Sequence, residues 1–187
     1  MALVSDRYKV IFIHIPRTGG TSFSEGLNRA INAQQFEHKH SPIEKIKRVA
    51  PKKYKRYKKV TLVRNPWDRL YSRYKWLNKW LLKGNRPTPT FEKAVKENRI
   101  HEHHLRPHQF FIKQGDIVLI DKFCFFETLQ TNFNQLCRSV KARPVKLKHL
   151  NAAGTRVDYR AQYDNEMIDI VANFYREDIE MFGYTFE

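Results

Sequence analysis

Residues 8–23, which read YKVIFIHIPRTGGTSF, contain the pattern that decides the fold. The run Val10–Ile13 is apolar and rich in β-branched side chains, which is typical of a strand buried on both faces. Pro16 ends the strand pattern, and residues 17–22 follow as a tight turn. From Phe23 onward the apolar residues recur at helical spacing. This stretch therefore predicts a strand, a glycine turn and a helix in direct succession.

A glycine turn between a strand and a helix directs backbone N–H groups and a helix N-terminus toward one point, where an anion can bind. The two glycines allow the backbone to approach the anion closely, the hydroxyls can donate hydrogen bonds, and the arginine adds a fixed positive charge. The candidate ligands of a phosphate or sulfate are Arg17, Thr18, Gly19, Gly20, Thr21 and Ser22. The alternative interpretation is a plain glycine-capped connection.

The turn differs from the loop that binds nucleoside triphosphates. That loop requires the pattern GxxxxGK[ST], with a glycine five residues before the second glycine and a lysine after it. His14 and Ile15 stand where the earlier glycine would be, and no lysine follows Gly20. A kinase on a phosphate-binding-loop fold is therefore disfavoured.

Residues 59–74, KVTLVRNPWDRLYSRY, form a second stretch of the same kind. A buried strand leads into Arg64, and the helix that follows carries Arg69 and Ser72. Arg64 and Ser72 are eight residues apart, about two helical turns, so both can bind one anion. The alternative for Arg64 is a surface ion pair, and Arg69 could pair with Asp68 or Glu92.

The two stretches together resemble the motifs of sulfotransferases that use 3′-phosphoadenosine 5′-phosphosulfate (PAPS). IPRTGGTSF is similar to their 5′-phosphosulfate loop, and RNPWDRLYSRY is similar to their 3′-phosphate element. FETLQTNFNQLC and YREDIEMFGYTFE extend the resemblance to the carbohydrate branch over nearly the whole chain. The resemblance implies PAPS as cofactor, 3′-phosphoadenosine 5′-phosphate (PAP) as product, and no metal. It also implies that a late loop closes over the nucleotide, which makes Thr155 and Arg156 candidates; a plain surface loop is the alternative.

The segment HKHSPI contains the candidates for the general base, His38 and His40. It resembles the His-x-His of heparan-type 2-O-sulfotransferases, in which the second histidine is the base. Histidine has a pKa suited to accepting a proton near neutrality. Alternation along an extended segment would put both rings on one face, so that His40 acts while His38 positions the substrate. The alternative is two solvated histidines. His149 and the four histidines of the 101–108 loop are further candidates, and we interpret that loop as solvated.

The composition excludes several classes of protein. Lys and Arg number 35 against 19 Asp and Glu, a formal net charge of +16, which implies an anionic partner. The densest basic run, residues 46–59, is interpreted as a solvated face or as a surface that gathers anionic substrate. No nucleic-acid-binding motif is present, so we expect no specific nucleic acid as a partner.

Cys124 and Cys137 are expected to be free and buried, and no CxxC or HExxH spacing predicts a metal site.

The sequence contains no 18-residue apolar run and no signal peptide, so we expect a cytoplasmic protein without a membrane span. The Golgi lumen is the expectation only if the chain is a truncated form.

Strands alternate with helices, which predicts one α/β domain over residues 1–187, with a parallel, phosphate-binding-loop-like sheet flanked by helices. Ligands of such sheets bind at the carboxyl ends of the strands, so we expect the two motifs to meet there.

Two classes of function remain at this stage. The first is a sulfotransferase that moves a sulfuryl group from PAPS to a hydroxyl acceptor, expected to be a sugar and anionic. In it, Arg17 stabilises the leaving phosphate and His40 is the base. The second is a basic module that binds a nucleotide or polyanion without turnover. Binding of PAP, ATP and duplex DNA, compared in parallel, would distinguish them.

Overall fold

The sheet forms around the buried run at residues 10–13. The computed structural model describes residues 2–38, 40–97, 105–148 and 157–186. The chain contains two compact units, the first formed by Met1–Val63 with His108–Asn151 and the second by Arg64–Pro107 with Ala152–Glu187. A single domain over the whole chain stays a prediction.

Within the described residues the elements alternate between strands and helices for much of the chain. In chain order they are β1 (Ala2–Ser5), β2 (Val10–Ile13), α1 (Gly20–Ile31), β3 (Gln34–Glu37), α2 (Ile43–Val49), α3 (Pro51–Arg56), β4 (Lys58–Val63), α4 (Pro66–Lys83), α5 (Phe91–Lys96), α6 (Gln109–Ile112), β5 (Lys113–Gln114), β6 (Ile117–Val118), β7 (Lys122–Phe125), α7 (Leu129–Ser139), α8 (Asn165–Phe174) and α9 (Arg176–Phe182).

The first unit contains a five-stranded sheet in the order β3-β1-β2-β4-β7. Strands β2, β4 and β7 are parallel to one another, which confirms the predicted α/β class. Strand β1 is antiparallel to both β2 and β3 and was not predicted. It reaches β2 through a turn at residues 6–9, in which Lys9 has a φ of 55°. Tyr8 and Lys9 therefore belong to this turn, whereas the sequence assigned them to the strand.

At the centre of the sheet, both faces of β2 are buried. Phe12 and Leu62 pack into one apolar cluster with Phe23 of α1 and Phe133 of α7, while Ile11, on the opposite face of β2, is also fully buried. Continuous burial explains the uninterrupted apolar run of the sequence.

Cys124 and Cys137 lie in this cluster, and both are free, as predicted. Burial raises the pKa of the Cys124 thiol to about 12 and that of Cys137 to about 11. Both thiols are therefore protonated at neutral pH.

The apolar pattern of residues 116–126 predicts one strand, whereas the structure divides this stretch between two sheets. Ile117–Val118 pairs with Lys113–Gln114 in a separate hairpin, and Gly115 in the turn has a φ of 57°. Only Lys122–Phe125 joins the main sheet. The apolar run IVLI at residues 117–120 is divided: Ile117 and Val118 are exposed, while Leu119 and Ile120 are buried.

The second unit packs its helices around an aromatic cluster that includes Trp67, Phe91, Met167 and Tyr175. Helix α4 begins at Pro66, and the Asn65 side chain caps it by accepting a hydrogen bond from the Trp67 N–H at 3.1 Å. This start agrees with the preference for Asn at the cap and Pro in the first turn. Among the described helices none is both long and apolar enough to cross a membrane.

Candidate functional site

Three consecutive carbonyl oxygens, beginning with that of the last residue of β2, each accept a hydrogen bond from a side chain. Thr61 Oγ1 donates to the Ile13 oxygen at 2.7 Å, and Thr18 Oγ1 donates to the Ile15 oxygen at 2.9 Å. Between them, the His14 oxygen lies 3.0 Å from His40 Nδ1. These bonds fix the backbone of three successive residues just before the candidate anion loop, which we define as residues 16–22. The Thr18 hydroxyl stabilises the loop, so the predicted contribution of Thr18 to an anion rests on its N–H.

The loop enters α1 through two glycines that lie against aromatic rings. Gly19 is the N-cap and has a φ of 82° without a side-chain cap, and a Cβ there would lie 2.7 Å from Phe126 Cδ2. A Cβ on Gly20 would overlap the His14 ring. No acidic residue occupies the first turn of α1. Because the backbone N–H groups of that turn lack intrahelical partners, this helix start suits an anion.

Arg17 and His40 share an uncommon backbone conformation. Their φ angles are 65° and 66°, in the left-handed region that costs a residue with a Cβ about 1–2 kcal/mol. Such conformations persist where the surroundings impose them, and they are enriched at functional sites. Both residues are half-buried. The structure therefore holds a cation and an imidazole in imposed conformations in the same unit.

His40 reaches the anion loop through His14. The two rings meet edge to face with centroids 4.9 Å apart, and the buried His14 ring lies against Gly20 at the start of α1. A carbonyl oxygen can only accept, so in the contact with His14 the His40 Nδ1 carries the hydrogen. In the neutral ring the lone pair is then on Nε2, the tautomer that a base needs.

His38 differs from His40 in its surroundings. Strand β3 ends at Glu37, and the His38 carbonyl accepts hydrogen bonds from Ser41 N–H at 3.2 Å and Ser41 Oγ at 3.0 Å. The segment therefore turns, so the expected extended alternation of the two histidines does not occur. His38 is exposed. Ser41 closes this turn. The Ser-Pro pair predicts a helix with Ser41 as N-cap and Pro42 as first residue, whereas Pro42 is the N-cap of α2 in the structure.

In the second unit, Arg64 is held by Asp68. Arg64 Nε and Nη2 donate to the two carboxylate oxygens of Asp68 at 2.9 and 2.7 Å, and the ion pair is partly buried. Ser72 lies four residues after Asp68, on the same face of α4. The structure therefore contains the ion pair that was the alternative for Arg64, although it is partly buried and its carboxylate lies on α4 near Ser72. Binding of a further anion by the rest of the guanidinium stays a prediction.

Arg69 has a different environment and is fully buried. Its Nη2 donates to the Arg106 oxygen at 3.1 Å. Burial lowers the pKa of Arg69, while Tyr175 and the buried Asp178 act in the opposite direction. The expected partners, Asp68 and Glu92, are engaged by Arg64 and Lys96. Arg69 therefore belongs to the buried interior of this unit.

Several predicted residues lie outside the described part of the chain. These are Thr155, Arg156, His149 and the histidines of residues 101–104. His108 is described and fully buried at the start of α6, so it is not the solvated histidine that the sequence suggested. In the described ranges, no cluster of three His, Cys, Asp or Glu residues could hold a metal ion.

A model of the sulfotransferase family matches residues 1–185. The chain belongs to the sulfotransferase family. The match spans both motifs, so the predicted resemblance to sulfotransferases is confirmed, and sulfuryl transfer to a hydroxyl acceptor is the chemistry that the family supports. Searches among curated proteins and among solved structures find no significant match.

Thr61 and Phe126 contact the backbone of this candidate site, at Ile13 and Gly19, without having been identified from the sequence. Thr61 is a fully buried polar residue inside an apolar strand. That polar residue in KVTLV was the available signal, because a buried hydroxyl needs a hydrogen-bond partner. Phe126, whose ring lies against Gly19, gave no comparable signal.

Proposed function

We propose that this sulfotransferase moves the sulfuryl group of PAPS to a hydroxyl of a carbohydrate, with His40 as the general base. The observation that carries the proposal is the contact between His40 Nδ1 and the His14 oxygen at 3.0 Å. It orients an imidazole beside the strand end that leads into the anion loop. A surface histidine would need no such support.

The reaction requires one proton acceptor. A bond forms between the acceptor oxygen and the sulfur of PAPS. The bond between this sulfur and the oxygen that joins it to the 5′-phosphate breaks, and PAP leaves with the electron pair. The hydroxyl proton passes to His40 Nε2. The Nδ1–H group keeps its hydrogen bond to the His14 oxygen, and this bond stabilises the positively charged ring. His38, exposed and near in sequence, is proposed to contact the acceptor.

The anion loop is proposed to hold the 5′-phosphosulfate. Residues 18–22 supply backbone N–H groups, Thr21 and Ser22 supply hydroxyls, and Arg17 supplies a positive charge. Charge that grows on the leaving phosphate is stabilised by oriented donors and by the helix dipole. Packing requires glycine at both positions of this loop, because a Cβ at Gly19 or Gly20 would overlap a neighbouring ring.

The second motif is proposed to hold the 3′-phosphate. Arg64 is oriented by Asp68, and Ser72 follows on the same face of α4. Thr155 and Arg156 are proposed to close over the nucleotide. A sugar acceptor rests on the resemblance to the carbohydrate branch, and an anionic sugar agrees with the charge of +16. We propose that no metal takes part, since the transferred group carries less charge than a phosphoryl group.

The test combines turnover with binding. Incubation with PAPS and a panel of oligosaccharides, followed by mass spectrometry, should yield a sulfated sugar and PAP, and activity should survive EDTA. Calorimetry should show much tighter binding of PAP than of AMP, because only PAP has the 3′-phosphate. Equal affinity for PAP and AMP would contradict the cofactor assignment. PAP binding without turnover on any hydroxyl acceptor would support the binding-module alternative.

A further inference from the structure

The second half of α4 exposes two tryptophans. Trp76 is 41% exposed and Trp80 is 52% exposed. They are four residues apart, so they lie on the same face of the helix. Leu82, two residues after Trp80, is also exposed but lies on another side of the helix. Two large exposed aromatic side chains on one face mark an interaction surface in a soluble domain.

This face is also uniformly basic. No Asp or Glu occurs from Arg69 to Phe91. Lys79, Lys83 and Arg86 surround the exposed tryptophans, and within the described residues none of the three has a carboxylate partner. We call Trp76, Trp80, Lys79, Lys83 and Arg86 the tryptophan face. Its charge requires an anionic partner.

We propose that the tryptophan face docks on the surface of an anionic lipid bilayer. Indole rings favour the boundary between headgroups and acyl chains, and Lys and Arg side chains reach from there to lipid phosphates. A helix segment with both features typically binds membrane surfaces. This docking does not depend on the proposed acceptor or on the identity of the base.

A bilayer fits this face better than a sugar chain does. Sugar rings stack on the flat face of an indole, but arginines already lie over these rings. Arg73 Cζ is 4.6 Å from the Trp76 ring centroid, and Arg86 Cζ is 5.1 Å from that of Trp80. A lipid interface accepts the indole together with its guanidinium.

A second copy of the chain fits less well. In a two-fold dimer the same surface patch lies on both subunits. Such a dimer would bring the lysines and arginine of one tryptophan face against those of the other. No carboxylate between Arg69 and Phe91 could offset this repulsion.

The test measures sedimentation of the whole chain with vesicles. We expect binding to phosphatidylcholine vesicles that contain phosphatidylglycerol, weak binding to pure phosphatidylcholine, and release by salt. Tryptophan fluorescence should shift to the blue and be quenched by brominated acyl chains. Absence of binding to the anionic vesicles would overturn the proposal.

Two variants separate the apolar from the charged contribution. Lys79→Gln with Lys83→Gln and Arg86→Gln should weaken binding by about 100-fold. Trp76→Ser with Trp80→Ser should weaken it by roughly tenfold or more. All these residues are exposed or half-buried at the surface, and circular dichroism would verify that the variants fold.

The matched control removes the same charge elsewhere. Lys52, Lys55 and Arg56 are exposed on α3, which carries no exposed tryptophan. Changing all three to Gln should leave most of the vesicle binding intact. An equal loss in this control would assign the binding to net charge and overturn the proposal. So would a self-association that disappears in the tryptophan variant, or quenching by dextran sulfate without any vesicle binding.

Discussion

The loop at residues 16–22 and the motif from Arg64 to Ser72 are both candidate anion sites, but they are built differently. The loop depends on its backbone, because the side chains of Thr18, His40 and Thr61 hold the three carbonyls that directly precede it. The second motif depends on a side chain, the guanidinium of Arg64, which Asp68 aligns on α4.

This difference teaches where each site should be sensitive to substitution. A backbone site fails when its conformation is disturbed, even if no charge changes. A side-chain site fails when the charged group is removed, although the fold is kept. The substitutions below test the distinction in order of the expected effect.

The largest effect is expected for the base at the backbone site. His40→Ala should lower kcat by about 10²–10⁴-fold, the usual range for loss of a general base. Affinity for PAP should stay nearly unchanged, because Thr18 and Thr61 still hold the carbonyls on either side of His14 and keep the loop in place. Steady-state kinetics with the identified acceptor and calorimetry with PAP measure the two quantities.

His38→Ala is the matched control for this change. His38 is exposed and belongs to the same turn, so its loss should act on the KM for the acceptor more than on kcat. Wild-type turnover in His40→Ala would show that the base is another residue.

The next effect tests the side-chain site. Arg64→Ala should weaken PAP binding by roughly tenfold or more, since a charge-assisted contact contributes about 1.5–3 kcal/mol. Arg64→Lys should recover part of this loss, because it keeps the charge and loses the planar fork.

Arg176→Ala serves as the control for Arg64. Arg176 is exposed and bonds only to Asn173 among the contacts described for it, so PAP affinity should not change. If Arg64→Ala bound PAP as tightly as Arg176→Ala, the 3′-phosphate assignment would be wrong.

Gly20→Ala tests the backbone site without any change of charge. The added methyl would overlap the buried His14 ring, and overpacking of this kind costs about 1–3 kcal/mol of unfolding free energy. Activity should fall as well, because His14 lies between Gly20 and His40. Urea unfolding and kcat measure the two effects.

Gly84→Ala is the matched glycine control. The nearest atom to its added Cβ is the Leu81 oxygen at 3.6 Å, an ordinary contact distance. We expect a change within about 0.5 kcal/mol. Equal stability of the two variants would mean that His14 can move aside and that the loop is less constrained than its contacts indicate.

The smallest effect concerns the thiols in the sheet core. The pKa of Cys124 is raised to about 12 and that of Cys137 to about 11 by burial, so the native thiolate fraction at pH 8 is very small. A thiol reagent should therefore label neither cysteine until the chain unfolds. Because the unfolded thiols ionise at their ordinary pKa of 9.0, stability should fall as the pH rises above this value.

Labelling at pH 8 in increasing urea measures the first expectation, and unfolding curves between pH 8 and 10 measure the second. Rapid labelling of the native chain would show that this part of the core opens locally.

The sequence by itself determined the strand at residues 10–13, the glycine turn, the helix after it and the Arg64 motif. These features depend on local patterns, namely an apolar β-branched run, Pro16, two glycines and an Asn-Pro helix start. Neighbouring residues produce such patterns, so they can be identified without knowing the rest of the fold. The confirmed family and α/β class follow from the same patterns.

Only the tertiary structure decided the partners. The reversed strand β1, the pairing of Ile117–Val118 in a separate hairpin and the contact of His40 with His14, 26 residues apart, join distant parts of the chain. From the sequence, Asp68 could pair with either Arg64 or Arg69. The structure shows that Arg69 is buried and that Arg64 is the partner of Asp68. Hydrogen bonds and strand pairs of this kind depend on which surfaces pack together, and no local pattern contains that information.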